Sequence, residues 1–128
     1  MKEQYKERLP QWYKDTKKYD LILTDDIDSL MSCAILELIK GWEIKYCMLF
    51  KADKNELYDY MGKTSNATNE TVGVDLALHK GKSFDNHLSR LDELDPVNEE
   101  CINLNFINDV TRKNYFKKYN LSTVLLWK

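Results

Sequence analysis

Three carboxylates fall within four residues of one another, directly after a short apolar run. Asp25, Asp26 and Asp28 follow Leu21–Leu23, which is apolar throughout and bounded by polar residues, as is typical of a buried strand. Carboxylates this close repel each other, and a bound cation is the usual means of keeping all of them ionised near neutral pH. The same cluster could instead cap the apolar, helix-periodic segment that begins straight after it. Taken alone, the stretch leaves both interpretations open.

Two later strand ends carry the same kind of chemistry. The apolar segment 71–75 ends in Asp75, and a very short segment after it leads into Asp85, Asn86 and His87. The carboxyl ends of strands in an open α/β sheet form the edge at which such sheets bind ligands. We therefore expect these side chains to converge with the first acidic cluster on one edge of a sheet.

The elements that must position these residues alternate between strands and helices. This alternation predicts an α/β fold with a mainly parallel, doubly wound sheet and helices on both faces. Strands are predicted at 21–23, 44–50, 71–75, 82–85 and, as an edge strand, 102–106. Helices are predicted at 29–40, capped by Asp28 or Ser29, at 55–61, at 88–94 (or a turn there), and from Asp109 or Thr111 to Tyr119.

Length and composition bound the class of protein. The chain has 128 residues and a net charge of −2, so we expect one α/β domain at 21–128, preceded by an N-terminal helical arm at 1–20. The net charge argues against broad, sequence-independent adhesion to nucleic acid. No apolar run approaches the roughly 20 residues needed to cross a bilayer, and no signal-peptide pattern opens the chain. Three cysteines with apolar neighbours predict buried thiols in a reducing cytoplasm.

The acidic motifs are more specific as a set than singly. Asp26-Ile27-Asp28-Ser29 with the small residues after it, the lone Asp75 after a strand, and Asp85-Asn86-His87 resemble the three motifs of the DHH phosphoesterase family. That family includes RecJ-type nucleases, oligoribonuclease/phosphatases, cyclic-dinucleotide phosphodiesterases and family II pyrophosphatases. The resemblance spans about residues 21–87.

The resemblance implies a site with two divalent ions, usually Mn²⁺, with Mg²⁺ as the other candidate. Asp26 and Asp28 would each face one ion, Asp75 would bridge both, and Asn86 stands where the family has a metal-binding His. Asp85 would orient its motif and His87 would touch the substrate phosphate, which makes these two the expected catalytic residues. In a two-metal hydrolysis, one ion lowers the pKa of a bound water and both neutralise charge on the phosphoryl oxygens.

The sequence departs from the family pattern in three ways. Ile22 occupies the place of a His that many members carry but RecJ-like members commonly lack, and Asn86 is a weaker ligand than a His. The family's fourth metal-ligating Asp and its substrate-binding domain lie beyond the length of this sequence, so we expect the domain to be incomplete at its C-terminus.

The expected function is metal-dependent hydrolysis of a phosphoester or phosphodiester, with nucleic-acid ends, single-stranded oligonucleotides or a small phosphoester as substrate. We also expect the chain to act in the cytoplasm, away from membranes and with a homodimer as one candidate state. The alternative is a catalytically weakened module that binds a nucleotide or a partner protein. Two other classes of acidic-pocket domain are weaker alternatives. A receiver-like domain would leave Asp85-Asn86-His87 without a role, and a haloacid-dehalogenase-like domain would carry Thr or Val where Leu30 stands.

Overall fold

The computed structural model describes residues 3–127, which form a six-stranded sheet with helices. This confirms the predicted α/β class and the mainly parallel sheet. Only the hairpin of β2 with β3 is antiparallel within the described part of the chain. The strands are β1 (Asp20–Thr24), β2 (Glu43–Phe50), β3 (Asn55–Asp59), β4 (Thr71–Val74), β5 (Ser83–Phe84) and β6 (Cys101–Ile102).

The strand order β3-β2-β1-β4-β5-β6 places β1 in the middle of the sheet. From β1 the chain first builds outward through β2 and β3, and it then returns to the other side of β1 to add β4, β5 and β6. The direction of growth therefore reverses between β1 and β4. In open α/β sheets, ligands bind at the carboxyl ends of the strands beside such a reversal.

A core of apolar side chains packs around the central strands. All five residues of β1 are buried, as expected for a strand covered on both faces. Trp12 contributes an aromatic cluster, with its ring centroid 5.1 Å from that of Phe84 and 5.6 Å from that of Tyr19. Leu9, Tyr13 and Tyr19 of the N-terminal arm also lie in or against this core. The arm itself consists of α1 (Glu3–Lys6) and a 3₁₀ helix (Gln11–Lys14) that follows Pro10.

The long helix α2 spans Ile27–Lys40 and begins two residues earlier than predicted. Its N-cap is Asp26 and not Asp28 or Ser29, because the Asp26 carboxylate accepts a hydrogen bond of 2.6 Å from the backbone amide of Asp28. Gly41 ends the helix in the left-handed conformation with φ of 63°, as the sequence predicted.

The apolar residues around 29–40 are typical of a helix covered on nearly all sides, but other elements cover α2 on one side only. The buried positions of α2 are Ser29, Ser32, Cys33 and Leu36. Ile27, Met31, Leu38 and Ile39 are exposed instead. Because α2 packs on β1, β2 and β4 through the stripe of these four buried residues, most of its other large apolar residues lie outside that contact.

The prediction of a helix at 55–61 is wrong, because residues Asn55–Asp59 form the strand β3. Five residues of β3 pair with five of β2, from Asn55 opposite Phe50 to Asp59 opposite Tyr46. The unpaired edge of β2 offers a row of backbone donors and acceptors, and tertiary pairing of this kind outweighs weak local helix propensity.

The predicted edge strand at 102–106 is likewise shorter than expected. It ends at Ile102, and Asn103 caps the short helix α3 (Leu104–Ile107) through a hydrogen bond to the amide of Asn105. A 3₁₀ helix at Arg112–Lys117 follows Thr111 where an α-helix to Tyr119 was predicted, and residues 88–94 form no helix, with a turn only at Glu93 and Leu94. A last 3₁₀ helix spans Thr123–Trp127. None of the helices within residues 3–127 has the length and apolar character that crossing a membrane requires.

Candidate metal centre

Asp75, Asp85 and His87 converge at the carboxyl edge of the sheet. Each offers a potential ligand atom, and these atoms all lie within 4.8 Å of one another. Asp75 follows β4 and Asp85 follows the neighbouring β5, so the parallel pairing of these strands brings the two carboxylates side by side. Asp75 is 6% exposed and Asp85 is fully buried, whereas His87 is exposed.

Asp75 sits on a backbone turn that directs its carboxylate into the site. Its φ is 56°, in the left-handed region that few residues other than glycine adopt but that Asp tolerates better than most. Its amide donates to the Phe84 carbonyl at 2.8 Å, and its carboxylate accepts from the Thr123 hydroxyl at 2.7 Å. Burial raises the pKa of Asp75, and the neighbouring charges of Asp28 and Asp85 raise it further.

Asp85 and His87 form a hydrogen-bonded pair. His87 Nδ1 lies 2.6 Å from one carboxylate oxygen of Asp85, and because an ionised carboxylate only accepts, Nδ1 carries the proton. This bond, more than any other influence, raises the pKa of His87. It also fixes the imidazole in the tautomer whose other ring nitrogen, Nε2, can accept.

Two buried asparagines that the sequence analysis did not single out hold this pair in place. Asn103 donates to the second carboxylate oxygen of Asp85 at 3.2 Å and to the His87 carbonyl at 3.0 Å. Asn105 donates to the Asn86 carbonyl at 2.8 Å. Both follow β6, the strand next to β5, so they reach the loop from the side. The sequence did carry a sign of this role, because two amide side chains at alternating positions of an apolar segment need hydrogen-bond partners when they are buried.

The first acidic motif lies beside this group but outside it. Asp28 accepts from the Ser122 hydroxyl, from the Thr123 amide at 2.9 Å and from the Ser32 hydroxyl at 3.5 Å. The Asp26 carboxylate caps α2. Asp28 is near enough to Asp75 to raise its pKa, and Thr123 contacts both carboxylates. Asp26 and Asp28, each of which was expected to face one ion, are therefore engaged in hydrogen bonds within the protein.

Ser29 of the same motif joins strands. Its hydroxyl accepts from the Thr24 amide at 2.9 Å and donates to the Val74 carbonyl at 2.7 Å, and its side chain is fully buried. This bridge ties the ends of β1 and β4 to the start of α2. A small hydroxyl residue at this position thus holds the two central strand ends in register beside the carboxylates.

Asn86, which was expected to bind metal, is hydrogen-bonded to the C-terminal segment. Its side-chain amide donates to the Leu121 carbonyl at 2.7 Å, so it fastens the C-terminal segment to the loop that carries His87. Together with the contacts of Ser122 and Thr123, this bond places residues 121–123 directly over the carboxylates.

The donor set fits one divalent cation. The two buried carboxylates supply hard oxygen ligands, which suit Mn²⁺ or Mg²⁺ better than they suit thiolate-seeking metals. His87 can add a nitrogen ligand only through Nε2, because Nδ1 holds its proton on Asp85. The raised pKa of Asp75 has burial and repulsion between acids among its causes, and a cation at this point would relieve both.

Comparison of the chain with protein-family models, with curated proteins and with solved structures finds no match.

Proposed function

We propose that this chain is a divalent-metal phosphoesterase domain that hydrolyses a phosphoester or phosphodiester, using a site built on Asp75, Asp85 and His87. The observation that carries the proposal is the meeting of these three side chains, within 4.8 Å, at the edge where the strand order reverses. The resemblance of the three acidic motifs to those of DHH phosphoesterases supports the choice of reaction. Mn²⁺ or Mg²⁺ is the proposed cofactor, with the cytoplasm as the proposed compartment.

The roles of the residues follow from their contacts. Asp75 and Asp85 would hold the cation, which supplies an activated water and neutralises charge on the phosphoryl oxygens. His87 keeps its Nδ1 proton on Asp85, so its Nε2 is the nitrogen that can contact a ligand or a substrate phosphate. Asn103 positions both members of that pair. Asp28 lies next to Asp75 and would complete a second cation position only after Ser122 and Thr123 release it.

Thermal unfolding with and without Mn²⁺ tests the cation site. The wild type, freed of metal with EDTA and dialysed, is expected to gain about 2.7 kcal/mol of stability at a Mn²⁺ concentration one hundred times the dissociation constant. Asp75→Asn and Asp85→Asn should lose this gain. Asp53→Asn, which removes an exposed carboxylate from the β2–β3 turn, should keep it. A melting temperature of the wild type that does not change on addition of Mn²⁺ would contradict the proposal.

Hydrolysis of bis-p-nitrophenyl phosphate then separates an enzyme from a binder. Wild type with Mn²⁺ should release p-nitrophenol, and His87→Gln should lower the rate by a larger factor than it lowers Mn²⁺ affinity. EDTA should abolish the reaction.

A second candidate function is a binding module without catalysis. The observation that favours it is the occupation of Asp28 and Asp75 by hydrogen bonds from Ser122 and Thr123, which replace part of what a cation would supply. This candidate predicts no Mn²⁺-dependent stabilisation and no hydrolysis, so the same two experiments distinguish it from the first.

A further inference from the structure

A short segment near the C-terminus combines positive charge with aromatic rings. Residues 110–119 contain four Lys or Arg side chains and no acidic residue, although the whole chain has a net charge of −2. Tyr115 and Phe116 lie between these cations in the sequence. Basic residues interleaved with aromatic ones are typical of surfaces that bind single-stranded nucleic acid.

This segment forms one wall of a groove that begins at His87. The groove has a volume of about 500 Å³. Its lining residues are His87, Leu88, Leu91, Arg112, Tyr115 and Lys118. Lys118 is close enough to His87 for its charge to lower the pKa of the imidazole, against the larger effect of Asp85. The groove is therefore continuous with the proposed cation site.

The two cations that line the groove form no ion pair with a carboxylate of the described residues. Within residues 3–127, Arg112 and Lys118 have no carboxylate within 4.0 Å, whereas Lys113 between them in the sequence pairs with Asp92 at 2.8 Å. The carboxylate of Asp92 is thus paired with Lys113 and not with Arg112 or Lys118. Two unpaired cations beside a phosphoester site favour a substrate that carries more than one phosphate.

The aromatic rings are exposed to a degree that packing does not require. Tyr115 is 57% exposed and Phe116 is 84% exposed, at neighbouring positions of the 3₁₀ helix Arg112–Lys117. Leu91, which lines the other wall of the groove, is 65% exposed. Apolar and aromatic surface beside cations accommodates a planar base next to a phosphate, but it adds nothing to the recognition of a phosphate alone.

We propose that the groove binds a single-stranded oligonucleotide, with Arg112 and Lys118 contacting the phosphates that flank the one at His87 and with Tyr115 stacking on a base. The inference rests on the proposed function in that the scissile phosphate is placed at His87. It narrows the substrate from any phosphoester to one that has at least three phosphates with bases between them.

Fluorescence anisotropy of a labelled oligothymidylate, measured in EDTA, tests the groove without metal or hydrolysis. The wild type should bind, and Arg112→Gln with Lys118→Gln should weaken binding at least tenfold. The same double variant should reduce the slope of log affinity against log salt by about 1.4, because each phosphate contact on a single strand contributes about 0.7. Tyr115→Ala should weaken binding about fivefold or more with little change in that slope.

A matched control removes the same charge at the opposite edge of the sheet. Lys18 and Lys63 both act on Glu43 at the start of β2, far from the carboxyl ends of the strands. Lys18→Gln with Lys63→Gln should bind the oligonucleotide like the wild type. Circular dichroism and melting temperature confirm that each variant is folded.

Three results would overturn the inference: equal affinity of wild type and Arg112→Gln/Lys118→Gln, an equal loss in the control variant, or oligothymidylate binding no tighter than inorganic tripolyphosphate. Failure of the proposed function has a different signature. Oligonucleotide binding in EDTA with no Mn²⁺-dependent hydrolysis of bis-p-nitrophenyl phosphate would remove the enzyme and leave the groove. Hydrolysis of that small ester without oligonucleotide binding would do the reverse.

Discussion

At the scale of single residues, Asn103 decides how the proposed site is held. Its side-chain amide spans the Asp85 carboxylate and the His87 carbonyl, and its own oxygen accepts from the Asn105 amide at 2.9 Å. A neutral group thus orients a charged pair without changing the charge of the site. Removing it would leave a buried carboxylate with one partner fewer.

We expect Asn103→Leu to lower the free energy of unfolding by about 2 kcal/mol, because a buried acceptor loses its donor. It should also weaken Mn²⁺ binding at least tenfold, as changes behind a ligand usually do. Urea denaturation and Mn²⁺-dependent melting measure the two effects. Asn98→Leu is the matched control, since Asn98 is a buried amide that donates to the Leu78 and Gly81 carbonyls at 3.0 and 2.9 Å. A variant of Asn103 that binds Mn²⁺ as well as the Asn98 variant does would show that Asn103 has no positioning role.

The sequence predicted the acidic residues of the site better than their supports. Asp75, Asp85 and His87 each follow an apolar strand, and strand ends of a parallel sheet share an edge, so their convergence was foreseeable from periodicity alone. Asn103 was placed inside a predicted strand, where its side chain would have had no special role. Its cap position depends on where β6 stops, and that boundary is set by pairing with β5, which has only two residues.

At the scale of elements, the 3₁₀ helix Thr123–Trp127 packs against α2. This contact fixes the first residue of the helix, Thr123, and the residue before it, Ser122. Ser122 and Thr123 then donate hydrogen bonds to Asp28 and Asp75. The hydrogen bond from Thr123 lowers the pKa of Asp75 and so offsets part of the effect of burial. A cation at the same place would do so more effectively.

Ser122→Ala with Thr123→Val should therefore lower the stability of the metal-free protein by about 2 kcal/mol, since two hydrogen bonds to charged groups are lost. Mn²⁺ should restore more stability to this variant than to the wild type. Differential scanning fluorimetry in EDTA and in Mn²⁺ gives both values. Ser65→Ala serves as control, because that hydroxyl makes only an exposed contact of 3.4 Å with the Gly62 carbonyl. Unchanged stability in EDTA would mean that the two hydrogen bonds are energetically silent.

The strands of the central sheet were predictable, and the peripheral elements were not. The segments that became β1, β2 and β4 are apolar over several residues and admit few alternatives. Residues 55–61 have a mixed pattern, and their state is decided by the open edge of β2, which only the folded sheet creates. Residues 112–117 carried a helical pattern, but a kink at Asn114, with φ of −121°, interrupts the helix.

At the scale of the whole molecule, the three cysteines are distributed through the fold as separate thiols. Cys33 on α2 and Cys101 on β6 are buried, and Cys47 on β2 is partly buried. Burial raises the pKa of Cys33 and Cys101 to about 12 and also raises that of Cys47. The prediction of buried thiols is thus confirmed for two of the three.

These thiols should resist alkylation in the native state. A pKa raised from 9.0 to about 12 leaves almost no thiolate at neutral pH, so iodoacetamide should label Cys47 first and Cys33 and Cys101 only on unfolding. The same shifts stabilise the fold fully below pH 9, and this contribution is lost as the pH rises from 9 through 12. Mass spectrometry of timed labelling, with Cys47→Ser as control, follows each site. Native labelling of Cys33 or Cys101 at the rate of Cys47 would contradict the burial.

The bond between Asp28 and the Thr123 amide joins residues 95 positions apart in the chain. The three side chains of the proposed centre fall within residues 75–87, but their neighbours Asp28 and Thr123 come from the two ends of the chain. The loop-closure entropy of nearly the entire polypeptide must be overcome before these neighbours meet beside Asp75. A peptide of residues 75–87 would therefore carry the three side chains without the contacts that hold Asp75 in place. A cation-dependent signal would report only the fraction of molecules that have finished folding, which makes ion binding a direct assay of the native population.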